Sequence, residues 1–235
     1  MNRFPLRAIA PLLVVFGLAA GSWPAESAAR SASPHSAPRS TTTKISSPVY
    51  VAIGASDSVG YGVPDPATQG WVPRFAAILP GHPKLVNLGV AGLTLHQAVL
   101  VDLPVALDAH PRIITVWLAV NDLMDRVPLP RYRADLHTLL QRLRTGTHAR
   151  ILVGNLPDLT LVPAAAARLG PNPSGTLAAW NAAIASETRA AGATLVDLSS
   201  HWHDLAAHPE FVGPDGLHPS VEGYARLARI FADAL

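Results

Sequence analysis

The chain has 235 residues, no cysteine, 14% charged and 49% hydrophobic side chains, which suits one domain of ordinary size with a sizeable core and some extra length. This composition excludes a highly charged disordered chain. The missing thiol excludes a disulfide framework, a cysteine nucleophile, cysteine-held zinc or iron–sulfur clusters and a lipid-modified N-terminal cysteine. The formal net charge of +2 is unevenly placed. Residues 1–47 hold Arg3, Arg7, Arg30, Arg39 and Lys44 against Glu26 alone, so of 18 basic and 16 acidic residues, 13 and 15 remain for 48–235. With no basic excess and no Lys/Arg stripe, that body lacks the electrostatic footprint of a nucleic-acid binder.

In chain order, two arginines, Arg3 and Arg7, precede the apolar run Ala8 to Ala20, and small residues follow at Ala25-Glu-Ser-Ala-Ala29. This is a secretory signal peptide pattern over residues 1–29, with Ser27-x-Ala29 or Ala25-x-Ser27 as the cleavage site. The apolar run is short for a membrane span; an uncleaved anchor is the other outcome. Either way the body is expected outside the cytoplasm, with no stable membrane insertion of the mature domain. From Arg30 to Ser47 the chain is Ser, Thr, Pro and Ala with almost no large apolar side chains, so it reads as a linker that cannot repay the entropy of ordering.

The domain therefore spans 48–235. Five short apolar runs read as strands: Val49–Ile53 closed by Gly54, Lys84–Asn87, Ile113–Leu118, Ile151–Gly154 and Thr194–Asp197. Helical periodicity lies between and after them, over Trp71–Leu79, Leu95–Leu107, Arg131–Leu143, Thr176–Ala191 and Val221–Leu235. Alternating strand and helix implies right-handed βαβ crossovers, hence an α/β fold with a parallel sheet covered on both faces and a site at the strands' carboxyl ends.

Those ends carry chemistry. After the first strand comes Gly54-Ala-Ser56-Asp-Ser58-Val-Gly60-Tyr-Gly62; after the second, Asn87-Leu-Gly-Val-Ala-Gly92-Leu-Thr94; after the third, Ala119-Val-Asn121-Asp122; before the last helix, Asp215-Gly-Leu-His218-Pro219. A serine, backbone and amide donors and an Asp/His pair together make an acyl-transfer set.

In these four blocks the chain resembles the SGNH hydrolase superfamily, the GDSL esterases and lipases, from about Val49 to Ala234. Four blocks in order at strand ends are far more specific than any one of them. The resemblance implies a three-layer α/β/α sandwich with a flavodoxin-like, five-stranded parallel sheet. It implies Ser56 as nucleophile, His218 as base and Asp215 as its orienting partner, with the Ser56 and Gly92 N–H groups and the Asn121 amide as the oxyanion hole. Ser58 takes the following Ser/Thr place. Two departures stand out: Ala55 replaces the Asp before the family's serine, and Ala119 replaces the Gly that opens the third block. A second register would take Asp57-Ser58 as the Asp-Ser pair, but it moves Gly54 and Gly60 off their matching positions.

The chemistry so implied needs no metal or organic cofactor: His218 takes the Ser56 proton, Asp215 holds the imidazole tautomer, and the donors stabilise the oxyanion. Ser220 is the expected cap of the last helix, and Asp122 is expected to hydrogen-bond structurally rather than react. An α/β-hydrolase reading lacks the last glycine of G-x-S-x-G. A reading of another class is a catalytically weakened member that binds an envelope carbohydrate or acyl ligand, motivated by Ala55 and Ala119. His201-Trp-His203-Asp204, with His208 nearby, superficially suggests a metal cluster, yet reads as a surface loop without a full ligand set. Trp71, Trp117 and Trp180 read as core. With no large insertion, the cleft is expected to be open and small, suited to short acyl esters, acetylated sugars or small thioesters, and shaped by Leu161–Thr176.

Overall fold

The structure is a computed structural model and describes residues 47–235. The expected signal peptide at 1–29 and nearly all of the linker at 30–47 lie outside the described residues. Five strands, β1 (Val49–Gly54), β2 (Lys84–Asn87), β3 (Ile113–Trp117), β4 (Arg150–Gly154) and β5 (Thr194–Val196), form one sheet in the order β2-β1-β3-β4-β5. Every pairing is parallel, with Val51 opposite both Val86 and Ile114, and Val153 opposite both Val116 and Leu195. This is the doubly wound, flavodoxin-like order that the resemblance implies, and it has the parallel sheet covered on both faces that the strand and helix alternation predicts.

Side chains alternate along β1 between two cores. Val51 and Ile53 enter one, with Ile114, Val116, Ile151 and Val153; Tyr50 and Ala52 enter the other, with Leu152 and Val196. A strand buried on both faces reads as a continuous apolar run, because period 2 sends neighbours to opposite layers that are both dry. The first core is closed by α4 (Leu95–Asp108), α6 (Leu129–Gly146) and α8 (Pro173–Ala190), and the second by α3 (Trp71–Ile78) and α10 (Val221–Asp233).

In that second layer Trp71 stacks on Phe231 with centroids 4.3 Å apart, and Phe75 meets Tyr50 edge-on at 5.2 Å. In the first, Trp180 packs on Tyr132 at 4.6 Å. Trp71, Trp117 and Trp180 are all buried, and truncating one such ring typically costs about 3–5 kcal/mol. Among the described residues no helix is long and apolar enough to cross a membrane.

Helix ends differ from the periodicity by a few residues: α6 begins at Leu129 and α8 at Pro173, each with proline in its first turn. Proline starts a helix without wasting an N–H, so it extends the element beyond its apolar repeat. Five short helices escape periodicity because each spans under two turns: α1 (Ser56–Val59), α2 (Pro66–Gln69), α5 (Val120–Met124), α7 (Pro163–Ala166) and α9 (Trp202–Ala207). The last corrects the loop expected at His201–Asp204. A 3-10 turn, Leu198–His201, runs into α9, and Asp204 is held by Arg226 of α10, whose Nε and Nη2 both reach Oδ2 at 2.7 Å.

Candidate active site

In a 2-1-3-4-5 sheet the chain leaves β1 and β3 in opposite directions, which opens a crevice beyond their carboxyl ends. α1 leaves β1 and carries Ser56; α5 leaves β3 and carries Asn121. The loop ahead of α10 brings His218 to the same crevice. Its Nε2 lies 2.9 Å from Ser56 Oγ, and its Nδ1 lies 2.6 Å from Asp215 Oδ2. Asp215 is a loop organiser as well, since its Oδ1 accepts the N–H groups of Leu217 and His218 at 2.9 Å each.

Burial acts to raise the Asp215 carboxyl, but the His218 ring hydrogen bond and those two N–H groups outweigh it and hold it below the usual range. An acceptor held ionised at Nδ1 favours the tautomer with Nε2 bare toward the serine. Ser220 Oγ accepts from Gly223 N–H at 3.1 Å and caps α10, which sets where the loop ends. The Tyr61 ring lies on His218, centroids 4.5 Å apart, and Tyr224 Oη donates to the Tyr61 carbonyl at 2.9 Å, tying this ring to α10.

Ser56 opens α1, so its N–H is outside the helix's own bonding. Ser58 is different: it is fully buried, and its Oγ has no partner among the described residues. It packs so close to Gly54 that a Cβ there would strike the Ser58 side chain. Asn121 Nδ2 donates one hydrogen to the Leu93 carbonyl at 2.9 Å, which leaves its second amide hydrogen for a ligand. Gly92, next to Leu93, has φ +79°, a conformation that favours glycine, and open space where a Cβ would stand. It does not line the main cavity beside Ser56, whereas Asn121 does. Asp122 is buried; its Oδ2 accepts the Leu95 N–H at 2.9 Å at the start of α4.

The two departures from the family pattern are both dry. Ala55 and Ala119 are 7% and 3% exposed and belong to the first core. A second carboxylate instead follows the serine. Burial pushes the half-buried Asp57 up to about 6, with His218 opposing and Asp215 adding to the rise.

The cavity beside Ser56, Asn121 and His218 has a volume of about 110 Å³. Its size is small, as expected. Leu205 of α9, Phe211 and Val212 after it, and Leu227 and Ile230 of α10 line it. Of the segment Leu161–Thr176 only Val162 lines it. The expected wall is instead a buttress, because α7 packs on the loop that holds His218 and Ala164 N–H donates to Gly216 O at 2.9 Å. Among the described residues there is no group of three or more His, Asp or Glu side chains that could hold a metal ion.

Two residues important to the site carry no catalytic signature. Asn87, at the end of β2, donates from Nδ2 to the Ser58 carbonyl at 2.6 Å and accepts Gly89 N–H at 3.0 Å. Gly89 lies against α1: a Cβ there would stand 2.9 Å from Ser58 Cβ, 3.0 Å from Val59 N and 3.1 Å from Ala55 O. The available signal was a glycine two residues after the strand-ending Asn, in the block read only for Gly92.

The sequence matches the GDSL-like Lipase/Acylhydrolase family over residues 52–226. No curated protein matches it. Among solved structures, TesA superimposes with a TM-score of 0.64 at 21% identity, covering 80% of this chain and 97% of that one. The psychrotrophic esterase EstA from Pseudoalteromonas sp., in a structure inhibited by monoethylphosphonate, gives 0.62 at 18%, covering 79% and 95%. A catalytic mutant of Axe2, an acetylxylan esterase from Geobacillus stearothermophilus, gives 0.63 at 17%, covering 80% and 93%. At these identities the likeness is one of fold.

Proposed function

The chain belongs to the GDSL-like lipase/acylhydrolase family, and on that premise we propose that it is an exported serine esterase that hydrolyses small carboxylic esters, short acyl esters or acetylated sugars, through an acyl-enzyme on Ser56. The observation that carries the reading is the unbroken hydrogen-bonded line from Asp215 through His218 to Ser56, at 2.6 and 2.9 Å. Export rests on the pattern of residues 1–29, and the acetylated-sugar arm is favoured by the name that Axe2 carries.

Ser56 Oγ attacks the ester carbonyl carbon while its proton passes to His218 Nε2. The carbonyl oxygen takes up the electron pair and becomes an oxyanion, which the Ser56 and Gly92 N–H groups and the second Asn121 amide hydrogen are assigned to receive. Each such donor is typically worth about 10²–10³ in rate. The oxyanion collapses, the bond to the alcohol oxygen breaks, and His218 returns its proton to that oxygen. Water then attacks the acyl-enzyme, giving its proton to His218. Ser56 departs with that proton and the carboxylic acid is released. Asp215 stays ionised throughout and stabilises the imidazolium formed in each half.

Peptide mass spectrometry of residues 30–235 after fluorophosphonate treatment tests this, with Ser56→Ala and Ser58→Ala beside it. An adduct on Ser56, lost in Ser56→Ala and kept in Ser58→Ala, is expected. An adduct on Ser58 overturns the register. No adduct on folded protein overturns the esterase reading in favour of a family member that binds a carbohydrate or acyl ligand without turnover.

A further inference from the structure

The cavity that α9 and α10 both line has a direction. Gly223, Arg226, Leu227 and Ile230 all line it, and this i, i+3, i+4, i+7 spacing is one face of α10. At a rise of about 1.5 Å per residue, that face leads roughly 10 Å away from the loop holding His218. Away from Ser56, Asp57, Asn121 and His218, its lining includes the apolar Trp117 at the end of β3, Leu205, Phe211, Val212, Leu227 and Ile230. Charge gathers at one place on this wall, where Asp204 of α9 meets Arg226 and His201 Nδ1 lies 3.2 Å from Asp204 Oδ2 and 3.3 Å from Arg226 Nη2.

The two halves of an ester have different needs at such a site. The leaving alcohol must sit where His218 Nε2 can return its proton, on the side where Tyr61 is 52% exposed and Asp215 opens to solvent. The acyl half stays bonded to Ser56 and has the apolar cavity beside it. Size then limits the acyl chain. A cavity of about 150 Å³ lined by Leu, Ile and Phe accepts a benzene ring of six carbons, so about 110 Å³ accommodates a little less, the reacting carbonyl included. Asp204 and Arg226 both line the cavity and tie α9 to α10, with side chains 28% and 31% exposed, so a longer chain would have to part this pair.

We propose that the cavity between α9 and α10 is the acyl pocket, that it takes straight acyl chains of about four to six carbons, and that the Asp204–Arg226 pair sets that limit. The proposal rests on the esterase reading above. It makes Leu205, Asp204 and Arg226 determinants of specificity.

The test is kcat/KM for p-nitrophenyl esters from acetate to dodecanoate, read beside the Ser56 adduct. In the unaltered protein the value is expected to rise about fourfold per seated methylene to a maximum between butyrate and hexanoate, and to fall at octanoate. Leu205→Trp enlarges a side chain that lines the pocket and is expected to lower the ratio of hexanoate to acetate at least tenfold. Asp204→Leu with Arg226→Met removes both charges together, leaving neither unpaired, and is expected to move the maximum toward octanoate or beyond. If that double variant fails to fold by circular dichroism, Leu205→Trp still decides. A Ser56 adduct together with an acetate maximum, or with a ratio that Leu205→Trp does not change, overturns the pocket and leaves the esterase reading standing. The absence of both adduct and ester hydrolysis removes the reading, and the pocket with it.

Discussion

Asn87 Nδ2 donates to the Ser58 carbonyl at 2.6 Å, so the end of one strand holds the turn on which the neighbouring strand presents Ser56. β2 and β1 are paired in register, Ala52 opposite Asn87, which puts this amide at the height of the turn. The position of the serine is therefore set by the sheet as well as by its own loop.

Asn87→Ala removes that brace while leaving β2's backbone pairing intact. The turn loses one hydrogen bond, worth about 0.5–1.5 kcal/mol, and the expected result is a kcat lowered about tenfold, the rate equivalent of about 1.4 kcal/mol, with KM within about twofold. Steady-state kinetics on a short ester read this directly. A change confined to KM would show that Asn87 acts on substrate and not on the serine.

Gly89→Ala meets backbone as well as side chain, with Ala55 O and Val59 N both within 3.1 Å of the added carbon. Neither can swing aside, so α1 must move and Ser56 with it. A displacement near 1 Å at a reacting group can lower the rate about 10²-fold. The variant is expected to lose that much kcat and to react correspondingly slowly with a fluorophosphonate. A fully active, stable Gly89→Ala protein would refute the close packing.

Asp102 of α4 is 5% exposed and its Oδ2 has no partner among the described residues. Burial raises its carboxyl to about 6. The folded protein thus holds this proton more tightly than the unfolded chain, whose carboxyl titrates near about 3.9. Stability from this group is fully present below that value and is lost as pH rises through about 6. Asp102→Asn is expected to match the unaltered protein near pH 4 and to exceed it by about 1–3 kcal/mol at pH 8. Urea melts at the two pH values measure the gap, and one that fails to widen sinks the argument.

Ala55→Asp restores the residue that the family carries before its serine. Here the site is 7% exposed and apolar, so the new carboxylate is expected to destabilise the fold by about 1–3 kcal/mol without raising kcat. Thermal melts and ester kinetics together test it. A variant with unchanged stability and faster turnover would mean that a partner for that carboxylate is already in place.

Much of this protein is determined along the chain itself. Short apolar runs, continuous where a strand is buried on both faces, define the strands, and the order of strands and helices admits few topologies, because parallel crossovers have one hand. Ser56, Asn121, Asp215 and His218 are legible through the resemblance of four blocks to one family, three of which follow strands of the doubly wound sheet while the Asp215–His218 block precedes the last helix. Only the tertiary structure decided what those residues stand against. Ser58 and Ser56 are equivalent as letters, yet one lies buried against Gly54 and the other meets His218. Asn87 and Gly89 act on a turn some thirty residues away. The segment Leu161–Thr176 braces the His218 loop, while cavity lining comes from a short helix held by Asp204 and Arg226, 22 residues apart. Periodicity reports which side of an element is dry. Which distant element dries it depends on packing between surfaces that no local run of residues contains.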